Sequence, residues 1–395
     1  MERKNSERME RKRSRRASLS AEQRRKLSLL RTSSIPSPLT PVSHIYHTVP
    51  CPRQDCNQKY VVSTDRSGDI HVHVQGILAP PNRGDLSQQD KRCVFLTVHD
   101  LGTNHSTMVD FVNTPVMSEI KERSCFIHVD VPGHEENSPD LPDSYQFPSL
   151  QTLGEDLITV LDFLHVRYAV GLGEGAGANV LARCGLAHPR RLLGLILVNC
   201  TASTSSVADA FRSRFSRWRG ADISQSEEDF LIYHKFGHQI SSDSCEGGER
   251  DRTLTEYRSR LRGNLNTHNI KLYVRAFINR KDLILRGCQP DILLITGMLS
   301  PYSTVIEKMY KELDKERVTI LKVDRAGDVL AETPAKIAQS LLLFCQGQGL
   351  LTSLPPPGVE RRMSRAMSME EYDKPNIRRL SLTPSVAESP PHRKL

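Results

Sequence analysis

Runs of apolar residues alternate with amphipathic stretches through most of the chain. Residues 93–98 and 125–129 are almost continuously apolar, which is typical of strands buried on both faces. Residues 153–164 have apolar positions at helical spacing. Before them, residues 60–63 and 70–74 flank a glycine-containing turn, a pattern that predicts an antiparallel hairpin. Strands alternating with helices predict an α/β fold, with a mostly parallel central sheet covered on both faces.

The same alternation continues to residue 344, with one long interruption. The later elements are predicted as strands at 168–171, 192–198, 292–296 and 318–323 and helices at 179–186 and 334–344. Residues 203–285 are polar, helix-prone and without a strand pattern. Their candidate apolar anchors are Trp218, Phe230, Tyr233 and Tyr273. We interpret this insertion as a helical cap over the carboxyl edge of the sheet, where such folds bind ligands.

The two ends of the chain differ from the middle in composition and charge. Residues 1–42 hold 12 Lys/Arg against 4 Asp/Glu, and residues 352–395 hold 8 against 5. Both ends are rich in Arg and Ser and poor in large apolar residues, so they are predicted to be disordered tails around a folded domain at 43–351. Because the whole chain carries a net charge of +8, the domain itself is slightly acidic.

A slightly acidic domain disfavours specific nucleic-acid binding, and the basic tails lack interleaved aromatic residues. Basic tails fit kinase sites, targeting signals or weak contact with acidic membranes, with residues 11–16 as the patch for nuclear import or lipid. The nine cysteines are scattered singly, which predicts reduced thiols. With no secretory signal and no apolar run of membrane-spanning length, a cytoplasmic protein with a nuclear or membrane-peripheral fraction is expected.

A glycine-rich turn follows the predicted strand at 168–171. Residues 171–175 read Gly-Leu-Gly-Glu-Gly before a helix, which resembles the nucleophile elbow of α/β-hydrolases, G-x-S-x-G. In this register Gly173 occupies the nucleophile position, and a shift of two residues places Gly175 there instead. Either glycine lacks a side chain that could attack a substrate, although it permits the positive φ of the turn.

The two other positions of a hydrolase triad are also substituted. The acid is expected after the strand at 292–296, just before Pro301, where this chain has Ser300. The histidine is expected before the last helix, where this chain has Asp328. A carboxylate cannot act near neutral pH as the imidazole does. We therefore predict a pseudo-hydrolase without nucleophile, acid or histidine, and not an enzyme.

Several motifs together resemble the NDRG (N-myc downstream-regulated) family across roughly residues 60–350. They are His99–His105, Val129–Gly133, the glycine-rich stretch Gly171–Asn179 and Ile278–Leu283. The resemblance implies an α/β-hydrolase fold without a triad, with roles in stress response, differentiation and signal transduction. It also implies phosphorylation of a polar C-terminal tail. The long basic N-terminal extension departs from the family pattern.

Other polar residues near these motifs have competing interpretations. Glu174 is a relocated catalytic group or, as we favour, a solvated or helix-N-terminal carboxylate. His99 and Asp100 lie where hydrolases supply oxyanion-hole amides, and a structural hydrogen bond is the favoured role. His234 and His238 have metal-ligand spacing, yet the intervening glycine disfavours a metal site. The glycine-rich loop alone is a weak dinucleotide signal, so no cofactor is predicted.

Serines in both tails follow arginine at the spacing that basophilic Ser/Thr kinases read. The candidates are Ser18, Ser28, Ser364 and Ser381. Phosphorylation adds about −1.5 to −2 charge per site, so a few sites would cancel the basic charge of the first tail.

These features predict a non-enzymatic cytoplasmic protein that works through protein partners and is regulated by its tails. The alternative is an enzyme with a rebuilt, triad-free site under the cap, using Glu174, His99 or Asp328. A nucleic-acid binder acting through the tails is a third, disfavoured interpretation.

Overall fold

The computed structural model of the chain describes residues 58–78, 92–203, 223–237 and 247–355. The predictions about residues 1–42 and 356–395, including the four serines, lie outside these described residues, as do those for Trp218 and His238. Within the described residues, no helix is long and apolar enough to cross a lipid bilayer.

Eight strands form one sheet in the order β1-β2-β4-β3-β5-β6-β7-β8. Their bounds are β1 Gln58–Thr64, β2 Gly68–Gln75, β3 Cys93–Val98, β4 Ser124–Asp130, β5 Ala169–Glu174, β6 Leu192–Val198, β7 Asp291–Gly297 and β8 Val318–Val323. The pairs from β4 through β8 are parallel, whereas β1 pairs with β2 and β2 with β4 in antiparallel orientation. The predicted mostly parallel sheet and its leading hairpin are therefore confirmed.

Helices connect the parallel strands. Their bounds are α1 His105–Val112, α2 Ser118–Glu122, α3 Leu150–Phe163, α4 Gly175–Ala187, α5 Gln225–Phe236, α6 Gly247–Gly263, α7 Thr267–Ile278, α8 Ser303–Glu312, α9 Val329–Glu332 and α10 Pro334–Gly347. The sequence places α3 and α10 within a few residues of their observed ends. It places the start of α4 at residue 179, four residues too late, because the glycines that open this helix have low helix propensity.

Side chains fix where two helices that border the site begin. Asn104 precedes α1, and its side-chain oxygen accepts a hydrogen bond from the backbone N–H of Ser106. Ser224 precedes α5, where it forms a reciprocal capping box with Glu227. Such caps stabilise a helix by about 1 kcal/mol each, since they satisfy N–H groups that the helix leaves unbonded.

Apolar side chains fill both faces of the sheet. One core lies under α3 and α4 and continues to the cap helices, and it includes Leu96, Leu157, Leu181 and Phe277. The other lies under α1 and α10 and includes Phe95, Phe126 and Leu341. Because the central strands are buried on both sides, their sequences are continuously apolar rather than alternating.

Three described helices, α5, α6 and α7, lie within the segment interpreted as the cap. Of the predicted anchors, Tyr273 and Phe230 are buried and Tyr233 is partly buried. Leu231 and Leu261 contact the loop after β3, since a Cβ on Gly102 would touch a methyl group of each. The cap helices therefore pack directly over the carboxyl end of β3.

Candidate functional site

The turn between β5 and α4 has the backbone geometry of a nucleophile elbow. The strand ends at Glu174 and the helix begins at Gly175, whose φ is +50°. In hydrolases of this fold the nucleophile occupies the strained position between strand and helix. Gly175 therefore holds the nucleophile position, and it has no side chain that could attack a substrate.

The first register of the sequence motif is wrong at this point. Gly173 lies two residues earlier, inside β5, where it is buried and has no positive φ. A Cβ on Gly173 would lie 2.8 Å from the backbone nitrogen of Ala178 and from a methyl group of Leu181. Glycine is thus required at 173 by close helix–strand packing, whereas at 175 it is favoured by the turn conformation.

The side chain of Asp100 fills the space beside Gly175. A Cβ on Gly175 would overlap all three atoms of the Asp100 carboxylate. The same carboxylate accepts a hydrogen bond of 2.8 Å from the backbone N–H of Ala176. In active hydrolases the amide that follows the nucleophile donates to the oxyanion. Asp100 therefore occupies the nucleophile's space and uses one donor of the oxyanion hole.

A histidine from the cap binds Asp100 from the other side. The Nε2 of His234, on α5, lies 2.9 Å from Oδ2 of Asp100, and its Nδ1 is hydrogen-bonded to the hydroxyl of Tyr302. Burial opposes ionisation of Asp100, but His234 and the Ala176 N–H outweigh it and hold its pKa at about 2. The cap thus supplies the imidazole of a hydrogen-bonded chain of three buried side chains, those of Asp100, His234 and Tyr302.

The next residue of α5 forms a second buried ionic contact. Lys235 Nζ lies 2.9 Å from both carboxylate oxygens of Glu174 and 3.1 Å from Oδ2 of Asp328. The three side chains are almost fully buried. One ammonium from the cap therefore joins the end of β5 to the loop that follows β8.

The charges in this centre are unequal, since Asp100, Glu174 and Asp328 surround a single lysine. Burial and the neighbouring carboxylates of Asp328 and Asp100 raise the pKa of Glu174 to about 8, against the opposing effect of Lys235. Burial lowers the pKa of Lys235, but its carboxylate partners more than compensate and raise it above its usual value. Lys235 therefore stays charged, while Glu174 holds a proton near neutral pH.

The two predicted triad positions after β7 and β8 have structural contacts. Ser300 is buried, and its Oγ accepts a hydrogen bond of 3.3 Å from the backbone N–H of Tyr302. It thereby helps to orient the tyrosine that contacts His234. Asp328 caps α9 by accepting from the N–H of Ala331, and its other oxygen faces Lys235. The signal that the sequence analysis missed is the adjacent His234 and Lys235 on α5, since it considered only His234, together with His238, as a metal motif.

The expectation that the Glu174 carboxylate is solvated is wrong. Glu174 does precede α4, but it makes no capping hydrogen bond and is 1% exposed. Its side chain turns toward Lys235, whose ammonium donates to both carboxyl oxygens, because a buried polar group requires a hydrogen-bond partner.

His99 lies next to Asp100 in a fixed hydrogen-bonded position. Its Nδ1 donates to the backbone oxygen of Asp100 at 2.8 Å, and its Nε2 accepts from the N–H of Val131 at 3.1 Å. Burial lowers the pKa of His99, and a neutral ring suits a nitrogen that accepts a hydrogen bond. The ring joins the loop after β3 to the loop after β4, which is a structural role.

A separate group at the edge of the sheet has side chains that could ligate a metal. His73, His105 and Asp130 converge within 4.8 Å, and the Nε2 of His73 lies 3.3 Å from Oδ2 of Asp130. The two imidazoles are stacked, with ring centroids 3.5 Å apart and planes 9° apart. Two imidazoles on one tetrahedral zinc would place their centroids about 5 Å apart. The present arrangement therefore does not fit a bound metal.

His105 instead serves the buried carboxylate of Asp130. Its Nδ1 lies 2.7 Å from Oδ2 of Asp130, and its backbone N–H donates to Oδ1 at 2.6 Å. Burial opposes the charge of Asp130, yet the hydrogen bonds with His105 and His73 hold its pKa below the usual range.

The sequence matches a known protein family over most of its length. The sequence profile of the Ndr family matches residues 60–352. The chain belongs to the Ndr family. An uncharacterized Caenorhabditis elegans protein, ZK1073.1, is 37% identical over 336 residues, which cover 84% of this chain and 96% of that protein. NDRG1 of Xenopus tropicalis is 31% identical over 294 residues, covering 71% of this chain and 72% of that protein.

Solved structures of hydrolases share the fold of this Ndr-family chain. A thermophilic esterase from Thermogutta terrifontis has a TM-score of 0.57 at 16% identity, covering 73% of this chain and 98% of the esterase. A hydrolase from Pseudomonas aeruginosa PA01 has a TM-score of 0.53 at 18% identity, covering 72% and 97%. At such low identity the likeness concerns the fold alone, which is that of the α/β-hydrolases.

Proposed function

We propose that this Ndr-family chain is a non-enzymatic protein that acts through protein partners. The observation that carries the proposal is the carboxylate of Asp100 beside Gly175. An acyl transfer needs a nucleophile at that turn and a vacant oxyanion amide. Here the nucleophile position is a glycine, and the Ala176 amide already donates to a buried side chain. Substrate would have to displace the hydrogen-bonded Asp100 and His234 side chains before it could reach the turn.

The contacts of the cap support the same proposal. His234 and Lys235 bring two cationic or proton-donating groups from α5 onto Asp100, Glu174 and Asp328. Opening the cap would separate these groups and leave carboxylates without partners in an apolar setting. Removing one partner of such a buried pair costs about 3–5 kcal/mol. The cap is therefore better suited to remain closed as a fixed part of the protein surface than to open as a lid in each turnover.

We further propose that the protein works in the cytoplasm in signal transduction, stress response or differentiation, with regulation by phosphorylation of its tails. The kinase-type spacing of arginine before Ser18, Ser28, Ser364 and Ser381 supports this regulation. Each phosphate would reverse the local charge of a basic segment and present an anionic motif to a partner.

One experiment tests the partner-based function. Full-length protein is captured from cells with its bound proteins, with and without phosphatase treatment, beside a variant with alanine at all four serines. We expect at least one partner to be lost after phosphatase treatment and in the alanine variant. An unchanged set of partners in both samples would reject regulation by the tails.

A second candidate function is an enzyme that uses Glu174 as a proton donor. It is favoured by the raised pKa of this group, which places its proton exchange near neutral pH. A panel of ester, lactone and epoxide substrates tests it. Turnover by the purified chain that is abolished in Glu174→Gln would support an enzyme, whereas the non-enzymatic proposal expects no turnover in either protein.

A further inference from the structure

A cavity of about 360 Å³ lies between α1, the cap helix α6 and the loop that follows β8. This volume is within the range of sites that hold small organic ligands. The cavity is separate from the space filled by Asp100, but it reaches the second ionic contact, because Lys235 and Asp328 are among its lining residues. Its existence does not depend on whether the protein is an enzyme.

Most of the cavity wall is apolar. Phe111 of α1 and Phe236 of α5 line it, together with Leu265 and Leu330. The ring of Tyr257, from α6, also belongs to the wall. Such a wall favours a ligand with a hydrocarbon body, since each buried methylene stabilises the complex by about 0.8 kcal/mol.

The charges of the lining disfavour an anionic ligand. Two cations line the cavity, and each is already bound to two carboxylates. Arg260 lies 2.7 Å from an oxygen of Asp110 and 2.5 Å from one of Glu256, and Lys235 lies between Glu174 and Asp328. The lining carboxylates are those of Asp110, Glu136, Glu256 and Asp328. Four formal negative charges and two positive ones give the lining a net negative charge.

The hydroxyl of Tyr257 is a second polar feature. Tyr257 is 6% exposed, and its buried oxygen has no hydrogen-bond partner among the described residues. The oxygen lies beside the backbone of Gly102, which also lines the cavity. Because this oxygen is buried, the part of Tyr257 open to a ligand is its aromatic ring, which attracts a cation over its face.

We propose that this cavity binds a small amphipathic organic cation, an alkylammonium-type ligand. Its hydrocarbon body would lie against Phe111, Phe236 and Leu265. Its ammonium group would face the carboxylates of the lining and the ring of Tyr257. An arrangement of this kind recognises charge and apolar length together, so it distinguishes the ligand from a neutral or anionic molecule with the same chain.

Three matched probes test the proposal on the full-length chain. Octylamine, octanol and octanoate share one alkyl chain and differ in charge, and each is titrated at neutral pH by calorimetry at low and high salt. We expect octylammonium to bind at least about tenfold more tightly than octanol, with weaker binding at high salt, and octanoate to give no binding. Equal affinities of the three probes, tighter binding of octanoate or no binding of octylammonium would overturn the proposal.

Two variants locate the binding. Thr107→Trp places a large side chain into the cavity from α1 and should abolish octylammonium binding, and Ala331→Leu fills it from α9 if the first variant does not fold. Glu122→Gln, on the exposed surface of α2, is the control and should bind as the unaltered chain does. Retained binding in a folded cavity-filling variant would place the ligand elsewhere and reject the site.

Discussion

A side chain at Gly175 would have to enter the space that the Asp100 carboxylate occupies. The elbow of the hydrolase fold is thus preserved as a backbone turn, while a side chain from the loop after β3 closes it. Two consequences follow for mutants. Restoring a nucleophile at residue 175 does not restore the site, and removing the Asp100 carboxylate breaks buried hydrogen bonds to His234 and Ala176.

Gly175→Ser tests the first consequence. We expect no esterase activity and a loss of several kcal/mol in the free energy of unfolding. About 1–3 kcal/mol comes from a Cβ at positive φ, and the remainder comes from displacement of Asp100. Chemical denaturation and a generic ester assay measure the two effects. Gly263→Ser is the matched control, because a Cβ there meets nothing within 4 Å. Ester hydrolysis by Gly175→Ser, absent from the control, would contradict the prediction.

Asp100→Asn tests the second consequence through its pH dependence. The pKa of Asp100 in the folded chain, about 2, is below its usual value of 3.8, so its charge stabilises the fold by about 2 kcal/mol above pH 4. This contribution is lost as the pH falls through about 2. The variant should therefore be less stable at pH 7, with a deficit that shrinks toward pH 3.

Denaturant unfolding between pH 7 and pH 3 measures this deficit. Asp110→Asn is the control, since Asp110 is an exposed partner of Arg260 and its loss should cost less than about 1 kcal/mol. A deficit for Asp100→Asn that stays constant with pH would show that its carboxylate is not the stabilising group.

Glu174→Gln should change the pH dependence in the opposite sense. The folded pKa of Glu174, about 8, is above its usual value of 4.5, so its contribution to stability is complete below pH 4.5 and is lost as the pH rises through 8. Glutamine does not titrate. Between pH 4.5 and pH 8, the free energy of unfolding of the variant relative to the unaltered chain should therefore rise by about 1.4 kcal/mol for each pH unit. Unfolding curves from pH 5 to pH 8 compare the two proteins, and parallel stability profiles would refute the prediction.

Lys235→Met tests the ionic contact between the cap and the sheet. The variant leaves the Asp328 carboxylate buried without its cation and the Glu174 carboxyl without its hydrogen-bond donor, and it should lower the free energy of unfolding by about 3–5 kcal/mol. Lys322→Met removes an exposed lysine paired with Glu307 and should cost about 1 kcal/mol or less. Adding Glu174→Gln and Asp328→Asn to Lys235→Met should restore part of the loss. No recovery in the triple variant would mean that the lysine stabilises the cap by its packing instead.

The amino-acid sequence by itself determined the alternation of strands and helices. Residues 93–98 and 125–129 are continuously apolar because both faces of their strands are buried, and this local pattern needs no knowledge of distant contacts. The order of motifs along the chain also identifies the glycine-rich turn at the start of α4 and the substituted triad positions Ser300 and Asp328. The register at the elbow could not be predicted from the sequence, since two glycines two residues apart both fit the motif. Only the backbone φ assigns the turn to Gly175.

Only the tertiary structure decided what fills the emptied site. His234 contacts Asp100 across 134 residues of sequence, and Lys235 contacts Glu174 across 61. Neighbouring residues on α5 reach two different carboxylates because the cap packs over the ends of β3, β5 and β8, which the fold brings to one edge. Such long-range pairs produce no periodic pattern in the sequence. A buried charged residue is explained only by the partner that it contacts in the folded chain.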